Sequence, residues 1–476
     1  MIRHSVFLLP IFTALAALSP QPVQAQTTDD DLVIEEVIVT AVRRETSLME
    51  TPVAVSAFDQ ETLTREGVTN LVNIGNLVPN MQVGLSPSDS GVQIALRGIT
   101  SNNFTELGDP TVGIHVDGMY SPRPQGALAL LYDVQRIDIL RGPQGTLFGR
   151  NSTSGTINVI TSRPDVNEFA GSVELEAGNN ANLATRGWFN IPLGEKVAFR
   201  ASFMTQQTDT YLNQYMDVYD LDWDVDGDGR TDGPNDVPAD GIPNTDQRRN
   251  YQQKDSEAYG SIDRWGGRLS LRLLPTDTID WTLTYDHFQD NSPGVPFLKD
   301  CEKAKGTFFE CEQKQFDLYV NTPGMLDMSI QTIRSEFIWD ATDWFSIEYR
   351  YAYSEQDRSQ LFDQDGGSFA DPDHPGYGID IDGELFGGVR GWMIRDEQIF
   401  YDLGFEPRAL QPFEDLALET EYSYYDSQVH DLIIKSESDS RLQWLAGFFY
   451  LEEDNEIKFN VEIPWCCGFI RPLAQS

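Results

Sequence analysis

The chain has 476 residues, of which 34 are Lys or Arg and 75 are Asp or Glu, so its formal net charge is −41. A chain this acidic lacks the clustered positive charge that neutralises phosphates, which argues against a nucleic-acid binder. After the first twenty residues, no apolar run approaches the roughly 18 residues that cross a bilayer as a helix, which excludes a helical membrane protein. A soluble globular protein or a β-barrel remains. In a barrel strand, apolar and polar residues alternate, so the mean hydropathy of the segment does not reveal its apolar face.

Residues 1–25 have the layout of a secretory signal peptide. Arg3 and His4 precede an apolar stretch from Val6 to Leu18, and a polar region ends at Ala25, after which we expect cleavage. The apolar stretch is too short for a helix that anchors the chain across a bilayer. The mature chain is therefore expected to leave the cytoplasm.

Residues 26–47 begin with a polar and acidic segment, which is followed by one isolated β-prone run. Val37 to Ala41 is this run, and it stops before Arg43 and Arg44. The sequence offers it no neighbouring strand, so the sheet edge of another protein is one candidate partner, with main-chain hydrogen bonds supplying much of the affinity. The residues leave open the alternative of an ordinary first strand of the next domain.

Residues 48–165 have the pattern of a compact α+β domain. Ser56 and Asp59 precede a short amphipathic run from Leu63 to Leu77, which predicts helical turns that end before Pro79. Strand-like pieces follow, separated by Gly, Asn and Pro turns. They are Val92–Leu96, Val112–Val116, Arg136–Leu140 and Thr156–Thr161.

Residues 166–476 alternate apolar and polar side chains with the period of two that predicts β-strands. Several of these segments run roughly 10–14 residues, which is close to a tilted transmembrane strand and longer than the usual globular strand. Aromatic residues near the strand ends fit the girdles at the two membrane interfaces. They are Trp281, Tyr285, Trp339, Trp344 and Tyr450. A soluble β-sandwich is the alternative, and strand length favours an antiparallel transmembrane barrel.

The connections between these segments are unequal in length. Residues 341–343 and 438–440 form tight turns, whereas residues 208–260, 289–326 and 357–413 form long polar connections. Outer-membrane barrels have short turns on one side and long loops on the other, so this inequality also favours a barrel.

The connection at residues 216–246 contains a candidate calcium site. Its acidic residues include the D-x-D-x-D-G spacing that wraps oxygens around Ca²⁺. The candidate ligands are Asp222, Asp224, Asp226, Asp228, Asp232 and Asp236. Asn235 holds the position of the closing bidentate Glu of an EF-hand, so a solvated acidic surface loop is the alternative.

Four cysteines are too few for a disulfide framework in an exported chain of this length. Cys301 and Cys311 lie in one polar stretch, where a disulfide would close a small loop, and two free thiols are the alternative. Cys466 and Cys467 are adjacent, and because a vicinal bridge is strained their state stays open.

The five histidines are scattered, and no catalytic triad order, zinc-protease motif, nucleotide-binding glycine loop or Cys/His metal spacing accompanies them. The chain is therefore not expected to be an enzyme or to require a cofactor besides the calcium considered above.

The leader, the isolated strand, the compact domain and the long alternating strands, in this order, resemble a TonB-dependent outer-membrane receptor. The isolated strand resembles the family's TonB box, which comprises Glu36, Val37, Ile38, Val39, Thr40 and Ala41. Gly113–Tyr120 and Arg136–Thr161 resemble segments of the family's plug domain. The plug motif residues are Arg97, Gly98, Asp117, Gly118, Arg141, Gly142, Pro143, Gly149 and Asn151. The resemblance covers residues 36–165 by motif and residues 166–476 only by pattern.

The resemblance implies a plug inside a barrel in the outer membrane of a Gram-negative cell, with TonB and its inner-membrane energising complex driving import. Its commonest cargo class is a ferric siderophore or another iron complex. Arg97 and Arg141 would face carboxylates of the barrel or, alternatively, cap turns within the plug. Asp109–Thr111 and Pro122–Gln125 lie in plug loops that would touch the ligand. A surface receptor or adhesin without import is the alternative function.

Residues 166–476 are too few for the about 22 strands of about 10 residues that enclose a folded plug, once the long connections are counted. We therefore expect roughly ten or eleven strands, too few for a closed barrel around a plug. We therefore also expect the chain to be the N-terminal part of a longer receptor.

Overall fold

A computed structural model describes part of the chain. The described residues are 38–39, 43–44, 46–47, 51, 53–68, 71–85, 92–101, 108–122, 132–218, 249–253, 258–294, 317–320, 324–363, 417–437 and 442–462. The leader, the six candidate calcium ligands and all four cysteines lie outside these residues. Within them, no helix is both long and apolar enough to cross a bilayer.

A mixed domain, called the N-terminal domain here, occupies residues 53–161. Two short strands precede it, β1 (Ile38–Val39) and β2 (Thr46–Ser47). Its own strands are β3 (Val55–Asp59), β4 (Met81–Leu85), β5 (Val92–Leu96), β6 (Val112–Val116), β7 (Met119–Ser121), β8 (Val134–Arg141) and β9 (Gly155–Thr161). Its helices are α1 (Gln60–Arg65), α2 (Leu71–Gly75) and α3 (Gly145–Phe148).

Five of these strands form one sheet in the order β3-β8-β9-β6-β7, with β6 parallel to β9 and the other pairs antiparallel. β4 and β5 pair as a separate hairpin. α1 begins where the Asp59 carboxylate accepts a hydrogen bond from the backbone N–H of Thr62 at 2.8 Å. Hydrogen bonding by the Thr62 side chain, and then by this backbone N–H, lowers the pKa of Asp59. Leu63, Leu71 and Ile74 of the two helices are buried with the apolar residues of the sheet. The helical turns expected between Leu63 and Leu77 are therefore present.

The alternating segments after residue 166 form twelve strands among the described residues. They are β10 (Ala170–Ala177), β11 (Leu183–Pro192), β12 (Val197–Thr208), β13 (Asn213–Val218), β14 (Arg249–Gln253), β15 (Ile262–Thr276), β16 (Ile279–Asp290), β17 (Asp317–Val320), β18 (Met325–Thr342), β19 (Phe345–Asp363), β20 (Ala417–Ser436) and β21 (Leu445–Glu462).

Nine of them form one antiparallel sheet, called the wall here, in the order β10-β11-β12-β15-β16-β18-β19-β20-β21. In the part of the chain that the structure describes, β10 and β21 each have one neighbour, so the wall is an open sheet. The roughly ten or eleven strands expected are not all in the wall, because β13, β14 and β17 pair with one another within the long connections.

The two faces of the wall have opposite chemistry. The side chains of Leu269, Ile333 and Phe448 on the outward face are 49%, 49% and 64% exposed, whereas Arg268 and Arg334 face the N-terminal domain and are buried. A soluble protein has the reverse arrangement, and a sheet with an apolar outer face and a polar interior is typical of a barrel in lipid. Four of the five girdle aromatics expected from the sequence are exposed here; they are Tyr285, Trp339, Trp344 and Tyr450.

Gly155, at the start of β9, is packed too closely to carry a side chain. A β-carbon there would overlap the side chain of Leu96 and the carbonyl oxygen of Leu140. We expect Gly155→Ala to lower the free energy of unfolding of the N-terminal domain by about 1–3 kcal/mol, because strand backbone must shift to admit the methyl group. Chemical denaturation measures this loss. Gly84→Ala on β4, where no atom lies within 4 Å of the added carbon, is the control and should change stability by less than about 0.5 kcal/mol.

Candidate functional site

The N-terminal domain meets the wall through buried charged side chains. Asp133, in the turn before β8, accepts two hydrogen bonds from Arg200 of β12, at 2.8 Å from Nε to Oδ2 and 2.5 Å from Nη2 to Oδ1. The Arg200 guanidinium also lies 3.9 Å from the ring centroid of Trp188. The side chains of the pair are only 9% and 2% exposed. A bidentate pair of this kind fixes both position and orientation.

A second contact surrounds Asp286 of β16. Arg268 of β15 donates from Nε to Oδ1 of Asp286 at 2.6 Å, and Nη2 of Arg334 on β18 lies 2.7 Å from Oδ2. Both arginines also reach the N-terminal domain. Arg268 donates from Nη1 to the carbonyl oxygen of Tyr132 at 3.2 Å, and Nη2 of Arg334 lies 3.6 Å from Oδ2 of Asp117. The carboxylate of Asp286 therefore holds two arginines in position against the domain.

Asp117 and Gly118 form the turn between β6 and β7, with φ angles of 52° and 76°. The Asp117 carboxylate accepts from the backbone N–H of Thr161 at 2.8 Å, and the Gly118 N–H donates to the Asn158 side chain at 3.2 Å. A β-carbon at Gly118 would lie 3.4 Å from Nε of Arg350 on β19. The N-terminal domain therefore sets the shape of this turn, and its tip fits closely against the wall.

Arg43, between β1 and β2, contacts both the N-terminal domain and the wall. It donates from Nε to the carbonyl oxygen of Leu147 at 3.0 Å and from Nη1 to that of Gly118 at 3.1 Å. The same Nη1 donates to Oδ2 of Asp431 on β20 at 2.9 Å. The side chains of Arg43 and Asp431 are 10% and 8% exposed. The Arg43 guanidinium thus connects the segment before the N-terminal domain to the turn before β7 and to the wall.

Arg44, the next residue, makes its hydrogen bonds to the wall in the part of the chain that the structure describes. It donates from Nη1 to the carbonyl oxygen of Ser436 at 2.6 Å, and from Nη2 to the Ser436 hydroxyl at 3.0 Å and to the carbonyl oxygen of Trp444 at 2.9 Å. These acceptors lie at the end of β20 and just before β21, on the side of the wall that carries the short turns.

The isolated strand of the sequence has a partner within the chain. Ile38 is opposite Ser47, and Val39 is opposite Thr46, in an antiparallel pairing of two residues on each strand. This pair is separate from the five-stranded sheet. The residues Glu36, Val37, Thr40 and Ala41 of the same segment lie outside the described residues.

Two further arginines connect the N-terminal domain and the segment after it to the wall. Arg150 lies 2.9 Å from Glu453 of β21 and 2.6 Å from Asp109. Arg163, just after β9, pairs with Glu336 of β18. The acidic residues Asp117 and Asp133 therefore face wall arginines, whereas Arg43, Arg150 and Arg163 face wall carboxylates.

The motif residues of the N-terminal domain share a backbone conformation. Seven of the nine have positive φ, namely Arg97, Gly98, Asp117, Gly118, Gly142, Gly149 and Asn151. Only glycine, and less often Asn or Asp, adopts this region readily, so the motif specifies turns. Arg141 ends β8, and Pro143 follows Gly142.

The expected pairing of Arg97 and Arg141 with wall carboxylates is not found among the described residues. A β-carbon on Gly142 would lie 3.1 Å from Nη1 of Arg97, so the Arg97 guanidinium lies over the N-terminal domain itself. Nε of Arg141 is buried without a hydrogen-bond partner. The pairing was expected at glycine-flanked arginines, but the arginines that pair with the wall follow β1, α3 and β9.

His115 of β6 is buried and neutral. Burial lowers its pKa to about 3, and the nearby charge of Arg43 acts in the same direction. Its Nε2 lies 3.2 Å from the carbonyl oxygen of Phe148, and its ring packs against the rings of Phe148 and Tyr120. Burial also raises the pKa of Tyr120 to about 12, and the Tyr120 hydroxyl accepts from Asn151 at 2.7 Å. Neither ring therefore carries charge at neutral pH.

Comparison with known proteins gives a consistent result. A family model described as the TonB-dependent receptor plug domain matches residues 47–156. The pesticin receptor of Yersinia pestis is 28% identical over 198 residues, which cover 40% of this chain and 28% of that receptor. The ferripyoverdine receptor of Pseudomonas aeruginosa is 30% identical over 183 residues, which cover 38% of this chain and 22% of that receptor.

Among solved structures, the ferric yersiniabactin uptake receptor FyuA from Yersinia pestis aligns with a TM-score of 0.59 and 16% identity. The alignment covers 87% of this chain and 50% of that receptor. At this identity the likeness concerns the fold. In sequence, the match spans less than a third of either curated receptor.

Asp133→Asn should weaken the attachment of the N-terminal domain to the wall by about 3 kcal/mol, because Arg200 would keep a buried charge without its carboxylate. The free energy of unfolding from chemical denaturation measures the loss. Glu66→Gln, which breaks the exposed pair with Arg65, is the control and should cost less than about 1 kcal/mol. Equal losses of unfolding free energy in the two variants would contradict the claim that the buried pair contributes more than the exposed pair.

His115 should make the stability of the N-terminal domain depend on pH. Its folded-state pKa lies far below the ordinary value of 6.5, so the unfolded chain binds the proton more readily. The stabilisation is complete above about pH 6.5 and is lost as pH falls towards 3. Between pH 6.5 and about pH 5, the native chain should lose about 2 kcal/mol more than His115→Phe. Denaturation curves at the two pH values measure this, and parallel losses would contradict it.

Proposed function

We infer that this chain, a member of the TonB-dependent receptor family, serves as the plug-bearing part of an outer-membrane receptor for energised import. The N-terminal domain is the family's plug, and the wall has the fold of the family's barrel strands. The observation that carries the inference is the position of β1. It precedes the plug, lies outside the plug sheet, and is joined to plug and wall by the arginines that follow it.

We propose a ferric siderophore or another iron complex as the cargo. Support comes from the relatives, since the ferripyoverdine receptor and the ferric yersiniabactin uptake receptor both carry a ferric complex in their names. The matches span only part of those receptors, so the cargo is carried over as a class and not as a compound.

TonB is the proposed partner of residues 36–41. The pairing of β1 with β2 involves two residues on each strand, and so short a hairpin is marginal in water. A partner that offers a longer sheet edge supplies more main-chain hydrogen bonds than β2 does. Exchange of β2 for such an edge is therefore favourable.

The outer membrane is the proposed location, reached after removal of residues 1–25. The outward face of the wall supports this, because its exposed apolar side chains suit lipid. Calcium binding in the 216–246 loop and a disulfide between Cys301 and Cys311 remain predictions of the sequence.

Deletion of residues 36–41 tests the function. In iron-starved cells we expect loss of siderophore-bound iron uptake, measured with radioactive iron, while binding of the complex to the cell surface is retained. The physical reason is that the deletion removes the strand that TonB captures and leaves the plug and wall intact. Deletion of residues 27–32, equal in length and nearer the leader, is the control. Unchanged uptake after deletion of residues 36–41 would favour a surface receptor or adhesin without import.

A further inference from the structure

Strand β7 is the most weakly held strand of the plug sheet. It has three residues and, among the residues that the structure describes, lies at the edge of the sheet and pairs with β6 alone. β8 and β9 have eight and seven residues, and each is paired on both sides. Local opening of a folded domain begins where the fewest hydrogen bonds and contacts must be broken. Within the sheet, β7 is therefore the strand that separates at least cost.

A cavity of about 50 Å³ lies between β7 and the wall. Met119 and Tyr120 line it on one side, and Arg334, Ala352 and Ser427 line it on the other. Met119 also packs against Ala352. Empty space already separates the two surfaces in part, so movement of β7 enlarges an existing gap and also breaks the packing of Met119 against Ala352.

Arg43 connects this strand to the chain that TonB would capture. Its Nη1 donates to the carbonyl oxygen of Gly118, the residue immediately before β7, at 3.1 Å. A force applied at residues 36–41 reaches Arg43 before it reaches Arg44. Arg44 makes three hydrogen bonds to the wall, so the chain beyond it is held until those bonds break. The first load therefore falls on Arg43 and on the turn before β7.

We propose that plug remodelling begins with the separation of β7 from the wall, transmitted by Arg43, and that cargo passes through the space opened along β16, β18, β19 and β20. This inference rests on the proposed function. The wall lining of this space includes Asp286, Arg334, Thr332, Ser354 and Ser427, together with apolar residues. The charged and hydroxyl groups would hydrogen-bond a polar solute, and the apolar wall residues Phe288, Ile330, Ala352 and Val429 would contact the organic part of a metal chelate. Arg43 is a positioning residue in this scheme, because it acts through β7.

Hydrogen exchange of the purified full chain, followed by mass spectrometry, tests the role of Arg43. Arg43→Gln reproduces the released state, since it removes the guanidinium from the turn. We expect about tenfold faster exchange in residues 117–122 and unchanged exchange in residues 137–140 of β8. Arg44→Gln is the matched control and should leave residues 117–122 unchanged, because Arg44 does not contact them.

Arg43→Lys tests whether the positive charge of Arg43 or the planar fork of its guanidinium holds the turn before β7. Lysine keeps a positive charge for Asp431 and loses the planar fork that binds two carbonyl oxygens and a carboxylate together. The proposal expects Arg43→Lys to behave like Arg43→Gln. Native exchange in Arg43→Lys would overturn it, and so would faster exchange throughout the plug in Arg43→Gln, which indicates a merely structural role.

Cysteine labelling tests where the space opens. Ser427→Cys lies on the wall beside β7, and Ser202→Cys lies on β12, on another part of the wall; both native serines are buried. A charged maleimide is applied, and labelling is quantified on the peptide that carries each new cysteine. In the Arg43→Gln background we expect about tenfold faster labelling of Ser427→Cys and unchanged labelling of Ser202→Cys. Equal rates at both sites, or no change at Ser427→Cys, would overturn the proposed passage. Neither measurement uses cargo or TonB, so its outcome is independent of the uptake test.

Discussion

The buried charges on the inward face of the wall are the constraint on which the rest of the structure depends. A charge removed from water is costly unless a partner stays in place, and these partners belong to the plug or to the segment before it. Arg200 is paired by Asp133 of the plug, and Asp431 is paired by Arg43 of the preceding segment. The plug and the segment before it are therefore held against the wall by pairs of both polarities. The same pairs make displacement of the plug possible, because a polar wall is more readily rehydrated than an apolar one when the plug moves.

The division of the chain into plug and wall could be predicted from the sequence, because two independent signals agree. The period of two after residue 166 predicted strands, and the strands from β10 to β21 follow it. The strand-like pieces separated by Gly, Asn and Pro turns predicted a compact domain, and the positive φ angles at Asp117 and Gly142 explain why those residue types occur at two of its turns. Backbone conformations such as a positive φ restrict the residue types at a position, so the sequence predicts turns even when the fold is unknown.

The contacts between plug and wall could not be predicted in the same way. Arg200 and Asp133 are distant in sequence, and nothing in either segment indicates the other. The pairing of Arg97 and Arg141 with the wall was implied by the family resemblance alone, and the glycine that follows each of them reflects turn geometry and not pairing. Arg43 and Arg44 were visible only as the end of a β-prone run. A useful signal was present in the wall, where arginines and carboxylates recur at inward positions of strands that are apolar on the other face.

The way in which Arg44 binds the wall has a consequence for sequence divergence. Two of its three acceptors are carbonyl oxygens of the main chain, which every amino acid supplies. Substitutions at positions 436 and 444 therefore leave most of this anchorage intact, provided that the strands keep their course. This end of the wall therefore tolerates substitution of its side chains, whereas the arginine itself has no substitute with the same reach and fork.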